Sequence, residues 1–237
     1  MPKPGWAAVL QGEPADLEDW AFTLKEPFEP WMETYEGNTL LRSSSFDELT
    51  SANDVRERAV ALVERLNGAV ALSEHAGQLR FGGGIVQFDP NGKVHHTMIP
   101  EPITLKVRGG MMRPVLTQVG PDGKIVPPPP PQQSEVQKWS MLAESDDLLD
   151  DALIYFGRGK NWFDVYKTLE CIILVKFSGK ENAFFSSGWA PEAKLRLLKQ
   201  TANWARHAKR KFNPPSNPMS LDEGYQLLAQ LLRRALT

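Results

Sequence analysis

Apolar and polar positions change period along this chain. In the first half, short alternating runs surround one strong helical stripe. Trp6 to Leu10 is an apolar run closed by Gln11-Gly12 and predicts a strand. Leu17, Trp20, Ala21 and Leu24 recur at helical spacing after Asp16 and predict a short helix. Trp31 to Ser43 alternates and carries Gly37-Asn38, the turn signal of a hairpin. Ser51, with Asp54 three residues on, caps a helix whose stripe is Val55, Ala59, Leu62, Val63 and Leu66. Asn67-Gly68 reads as its end. Ala69 to Leu72, Leu79 to Phe88 and Val94 to Ile99 then read as strands, with Asn91-Gly92 joining the last two. Ile103 to Arg108 and Pro114 to Val119 continue that pattern up to the turn Pro121-Asp122-Gly123.

Beyond residue 134 the period is helical. Ser134 caps a predicted helix over 134–157, with Leu148, Leu149, Ala152, Leu153 and Phe156 as its stripe. Gly157 and Gly159 break it, and Asn161 caps the next helix. That helix turns Trp162, Val165, Tyr166, Leu169, Ile172 and Ile173 inward and stops at Ser178-Gly179. A short helix is predicted over 182–185. Pro191 fits the first position of a segment running to about Phe212, which Pro214, Pro215 and Pro218 close. Ser220 and Glu223 form a capping box for the last helix.

Between the two regimes stand five prolines, Pro127 to Pro131. Such a run has fixed φ and no backbone N–H, so it forms an extended spacer. The predicted organisation is an α+β domain with antiparallel strands over 1–126, a proline-rich linker over 127–133, and an all-α helical bundle over 134–237.

Composition changes this picture little. Hydrophobic residues are 41% and charged residues 24%, ordinary for a globular chain. The formal charge of −2 excludes a wholesale polyelectrolyte binder. The halves differ mildly: 1–126 is net −5 and 127–237 is net +3. One cysteine, Cys171, rules out an intrachain disulfide and a Cys-based zinc site. The longest apolar run, Cys171 to Val175, is far too short to span a bilayer. With no h-region after the N-terminus, the expected setting is cytoplasmic, without a membrane.

Candidate chemistry is sparse. Gly82 to Gly84 runs into Ile85-Val86-Gln87-Phe88 rather than a helix. It therefore reads as a bulge or close backbone approach, not a phosphate loop. His95 and His96 point to opposite faces of a strand, and His75 stands at a turn, so no metal site is expected. There is no Gly-x-Ser-x-Gly, and Ser43 to Ser45 reads as a loop or strand edge. Cys171 should be buried, with its thiol pKa raised. The best lead is the basic segment 191–212, with seven Lys/Arg and one acid, Glu192. Arg196, Lys199, Asn203, Arg206 and Arg210 step by three or four residues along one face. Those cations could follow a phosphate backbone, with Trp204 stacking on a base. The plainer alternative is a solvated face, or one neutralised by the acidic run Glu144, Asp146, Asp147, Asp150 and Asp151.

The run from Asn161 through Tyr166-Lys167-Thr168-Leu169-Glu170 resembles the corresponding helix of HEPN-like bundles. Thr201-Ala202-Asn203, Arg206-His207-Ala208 and Pro218 to Glu223 are similar to the end of such bundles. The resemblance covers about 134–237 and implies a setting among prokaryotic conflict and abortive-infection proteins. Active HEPN ribonucleases carry an Arg and a His with four to six residues between them. Here Arg206 and His207 are adjacent, so that pair carries over to no position, and the resemblance implies a scaffold without the nuclease. The expected function is non-enzymatic recognition, sensing or oligomerisation, with a protein partner or self-association and no cofactor. Two alternatives stand beside it. One is a metal-independent ribonuclease using Arg206 and His207 in a dimer-formed site. The other is a nucleic-acid-binding module using Arg196, Lys199, Asn203, Trp204, Arg206 and Arg210.

Overall fold

The computed structural model describes residues 2–73, 77–99, 130–207 and 211–237. The expected strands at 103–108 and 114–119, and Pro127 to Pro129, lie outside these residues. The chain has an α+β fold, with a five-stranded antiparallel sheet in the N-terminal half and helices after it. It divides into two compact units. One comprises 1–60 and 76–137, the other 61–75 and 138–237. The sequence boundaries differ in two respects, because they place 61–75 with the sheet and 134–137 with the helical bundle.

In the first unit the strands are β1 (Gly5–Gln11), β2 (Trp31–Tyr35), β3 (Asn38–Arg42), β4 (Arg80–Phe88) and β5 (Val94–Met98). Their order is β2-β3-β1-β4-β5. Ala7, Leu40, Val86 and Phe88 form a buried cluster on one face, with Val9, Tyr35 and Val94 against it. The β2–β3 turn centres on Glu36 and Gly37, both at positive φ, one residue before the expected pair. Between Ala8 and Leu10 the β1–β4 register slips. Gly82 to Gly84 sits opposite the slip. A Cβ on Gly84 would lie 2.7 Å from Val9 Cγ2, so the triple glycine is the expected bulge and close approach. Helix α1 (Pro14–Thr23) buries Trp20, whose indole N–H donates to the Gly77 carbonyl at 2.9 Å. A short helix α2 (Ser44–Asp47) replaces the expected loop at Ser43 to Ser45, because the Ser43 hydroxyl accepts from Ser45 N–H.

Helix α3 (Ala52–Ser73) corrects two expectations. Gly68 does not end it, and 69–72 is helix rather than strand. The reason is packing. A Cβ on Gly68 would lie 2.0 Å from the Leu153 carbonyl oxygen, so glycine permits a close helix crossing there. Ala69, Val70 and Leu72 are buried. The apolar run that suggested a strand is the buried part of a helix.

The expected 134–157 helix is two, α4 (Glu135–Glu144) and α5 (Asp147–Gly157). Asp146 interrupts them with extended backbone, and its carboxylate accepts from Leu148 and Leu149 N–H. Ser134 caps α4 as expected, its hydroxyl accepting from Gln137 N–H at 3.1 Å. Gln137 itself is fully buried, and its amide donates to the carbonyls of Lys25, Phe28 and Pro30 at 2.9–3.1 Å. Its two amide hydrogens are thus shared among three carbonyls of the loop between α1 and β2.

In the second unit, α6 (Trp162–Phe177) is the hub, packing on α5, on α8 (Glu192–Arg206) and on α9 (Leu221–Ala235). Asn161 caps α6 and Ser178 ends it in left-handed backbone. Val165, Leu169, Ile172 and Ile173 are buried, as their spacing predicted. Gly224 lets α9 approach α6 and α8 closely, since a Cβ there would lie 2.8 Å from the Trp162 ring. The Ser220–Glu223 capping box opens α9. Among the described residues no helix is long and apolar enough to cross a membrane.

Candidate functional site

The basic segment folds as α8, which ends at Arg206 rather than near Phe212. His207 is already extended, at φ −100° and ψ 161°. Pro191 stands at the N-cap rather than the first helical position. Arg210 lies outside the described residues. Leu195, Leu198, Thr201 and Ala202 turn inward and are buried. The adjoining face carries Arg196, Lys199 and Asn203, with α7 (Glu181–Phe185) and α6 beside it.

Each cation on this face has a neighbour that holds it. Arg196 pairs with Glu192 one turn back at 2.7 Å, and its guanidinium lies 4.4 Å from the Phe185 ring centre. Lys199, whose side chain is 15% exposed, pairs with Glu181 of α7. Arg206 donates through Nε and Nη2 to the Asn203 side-chain oxygen at 3.2 and 3.0 Å. The same guanidinium lies 3.4 Å from the Tyr166 ring centre, a close cation–π stack. Trp204 is partly exposed.

The neutralising acids are therefore Glu181 and Glu192. In the acidic run 144–151, one alternative for neutralising the stripe, three residues are engaged elsewhere. Asp150 accepts from Arg65 Nε at 2.6 Å, Glu144 lies 3.8 Å from the same guanidinium, and Asp146 caps α5. Arg65 comes from α3, so Asp150 ties α3 to α5 and Glu144 brings α4 to the same guanidinium.

Two concavities meet at Lys199. The larger, about 310 Å³, is lined by Phe185, Arg196, Lys199, Gln200 and Asn203. The smaller, about 130 Å³, is lined by Tyr166, Glu170, Ile173, Leu174, Glu181 and Lys199, among others. Together they make a shallow groove along α8, with cationic and amide groups at one end and Leu169, Ile173 and Leu174 beside Glu170 and Glu181 at the other.

Arg206 and His207 have different neighbours. Arg206 is stacked and bonded as above. The His207 ring lies 4.9 Å from the Phe212 ring. Partial desolvation, then the nearby Arg206 and Lys211 charges, hold the His207 pKa below its ordinary value. Cys171 is buried in α6, and burial, then Asp151 and Glu170, push its thiol up to about 11. Both His95 and His96 lie exposed on β5, and His75 lies outside the described residues. Among the described residues no three His, Cys, Asp or Glu side chains could hold a metal together.

Sequence reasoning missed Tyr166, Glu181 and Phe185 as parts of this groove. Only the Glu192–Arg196 pair was legible, from its four-residue spacing. Tyr166 was assigned to the core, and Glu181 reaches Lys199 only through the tertiary fold. What the fold and groove define is an α+β chain whose helical unit carries a lined, charge-compensated cleft. No protein-family model, curated protein or solved structure matches it.

Proposed function

We propose that this protein is a non-enzymatic recognition protein whose helical unit binds a partner along the α8 groove. The observation that carries this reading is the state of Arg206. Its guanidinium is spent on Tyr166 and Asn203, and its neighbour His207 is biased toward the neutral form. A ribonuclease of the HEPN type needs a free, paired Arg and His, and general acid catalysis needs a positioned proton donor. The groove offers what recognition needs instead: an aromatic wall at Phe185, paired cations that can exchange partners, and the amides of Gln200 and Asn203. The HEPN-like resemblance fits a retained scaffold, and it alone suggests a defence setting.

A second reading, nucleic-acid binding by α8, is favoured by the exposure of Trp204 beside the cationic face. One experiment addresses both. Purified protein is incubated with a labelled single-stranded RNA, with Arg206→Ala and His207→Ala in parallel. Intact RNA in all three supports recognition without catalysis. Cleavage that disappears in the two variants would replace that reading with the nuclease. Intact RNA that is nevertheless bound, with affinity falling steeply as salt rises, would favour the second reading.

A further inference from the structure

Helix α6 keeps one face away from the core. Along it lie Phe163, Lys167, Glu170 and Leu174. At about 100° per residue these four fall within about 60° of one another. Phe163 is 50% exposed and Leu174 is 45% exposed, whereas Val165, Thr168, Leu169, Ile172 and Ile173 on the other side are buried. Between the two apolar residues, Lys167 and Glu170 pair at 2.8 Å and remain a third or more exposed.

The order of these residues has a symmetry. The midpoint between Phe163 and Leu174 is also the midpoint between Lys167 and Glu170, and it falls between Thr168 and Leu169. A second α6 laid antiparallel across the first, about a two-fold axis through that point, meets it in register. Phe163 then faces the partner's Leu174, and Lys167 faces the partner's Glu170. The same contacts recur on the other side of the axis, as an isologous interface requires. The two intrahelical ion pairs become a square of alternating charge. An apolar contact about 8 Å from the axis, at ~1.5 Å per residue, closes each end.

We propose that the exposed face of α6 is a self-pairing surface, and that its occupant is α6 of a second copy of this chain. This goes beyond the recognition reading and does not rest on it, and the two surfaces share Glu170 and Leu174, which also line the smaller concavity beside α8. One helix pair makes a small interface, at the low end of the range below about 1,200 Å². The dimer is accordingly expected in the micromolar range, strongly dependent on protein concentration.

The charge pattern supplies a decisive test by analytical ultracentrifugation. Lys167→Glu makes both central positions acidic, and Glu170→Lys makes both basic. Each variant alone should associate about tenfold or more weakly than the parent, because like charges then face each other across the axis. An equimolar mixture of the two should regain association, as should the double swap K167E/E170K. Leu174→Asp should weaken association and should not be restored by mixing with the unaltered chain. Circular dichroism spectra matching the parent check that each variant is folded, which their exposure favours. A parent chain that sediments as a monomer into the sub-millimolar range would overturn the proposal. So would a dimer that neither single variant weakens, or single variants that stay monomeric when mixed. RNA binding and cleavage, measured on Lys167→Glu, which lines neither concavity beside α8, report on the α8 reading separately.

Discussion

Tyr225 shows how one side chain closes an account that helix geometry leaves open. The last carbonyls of α5 have no partner within their own helix. The Tyr225 hydroxyl, from α9, donates to one of them, Phe156, at 2.9 Å, and the two rings stack at 4.3 Å. Burial pushes this phenol up to about 12. An unfolded tyrosine ionises near 10, so between those values the unfolded chain loses its proton first. Stability from this group is therefore complete below about pH 10 and is lost as pH rises toward about 12. Thermal melts across that window should fall with pH, and Tyr225→Phe should flatten its own share of the fall. At neutral pH the same variant should lose about 1 kcal/mol, the net worth of the missing hydrogen bond. A fall of the same steepness in Tyr225→Phe would mean that another group is responsible. None of this was legible in sequence, where Tyr225 is one more residue on an amphipathic helix. Burial of Cys171 was legible, because it sits within an unbroken apolar stripe.

At the scale of elements, α6 and α9 were predicted well, because cap and stripe agreed at α6 and a capping box marked α9. Asn161 and Ser220 mark their starts, and Leu169 and Ile172 lie where the period put them. The failures were places where a residue with a strong local meaning served a tertiary one. Gly68 looked like a helix end but is a contact surface inside α3. Asp146 looked like part of an acidic stripe but is a cap that splits one expected helix into two. Gly68→Ala tests the first case by its sign. In an exposed helix interior, alanine is favoured over glycine by up to about 1 kcal/mol. Here the added methyl would meet the Leu153 backbone at 2.0–3.0 Å, which no side-chain rotation relieves. The variant should be destabilised, by about 1–3 kcal/mol or more through overpacking, measured by urea denaturation. A gain in stability would mean that α3 can shift away from α5 at little cost. Leu169→Ala tests the hub from the opposite direction. Leu169 is 1% exposed in the middle of α6, and its truncation should cost about 2–5 kcal/mol. An unchanged denaturation midpoint would show that this side chain does not pack as described.

At the scale of the whole molecule, the relevant question is what the distribution of charge can do. The chain carries 27 basic and 29 acidic residues, so no long-range field draws a polyanion toward it. Local cation density on α8 was legible in the sequence, but its state was not. Whether a lysine faces water or a glutamate depends on where α7 lies, and only the fold brings Glu181 to Lys199. The cationic face is in this sense already answered from within the chain. A ligand that binds there must displace Glu181 and Glu192, both about half exposed and free to swing away. That cost works against weak, sequence-independent phosphate contacts and favours a partner that also fills the space beside Phe185. Replacing Arg196, Lys199 and Arg206 together by alanine separates these outcomes. The exposed Arg196 pair contributes about 0–1 kcal/mol, whereas Lys199 is largely buried and Arg206 also gives up its stack on Tyr166. The fold should therefore persist with a modestly lowered melting temperature. Binding of a short RNA should be weak in the parent at near-physiological salt and little altered in the variant. Glu181→Gln supplies the converse measurement, since it releases Lys199 without changing the helix. If RNA affinity in the parent is high, falls about a thousandfold or more between 50 and 200 mM salt, and collapses in the triple variant, phosphate contacts dominate and the nucleic-acid reading takes first place. If Glu181→Gln alone creates salt-sensitive RNA binding that the parent lacks, the ion pair is what keeps this face closed to nucleic acid.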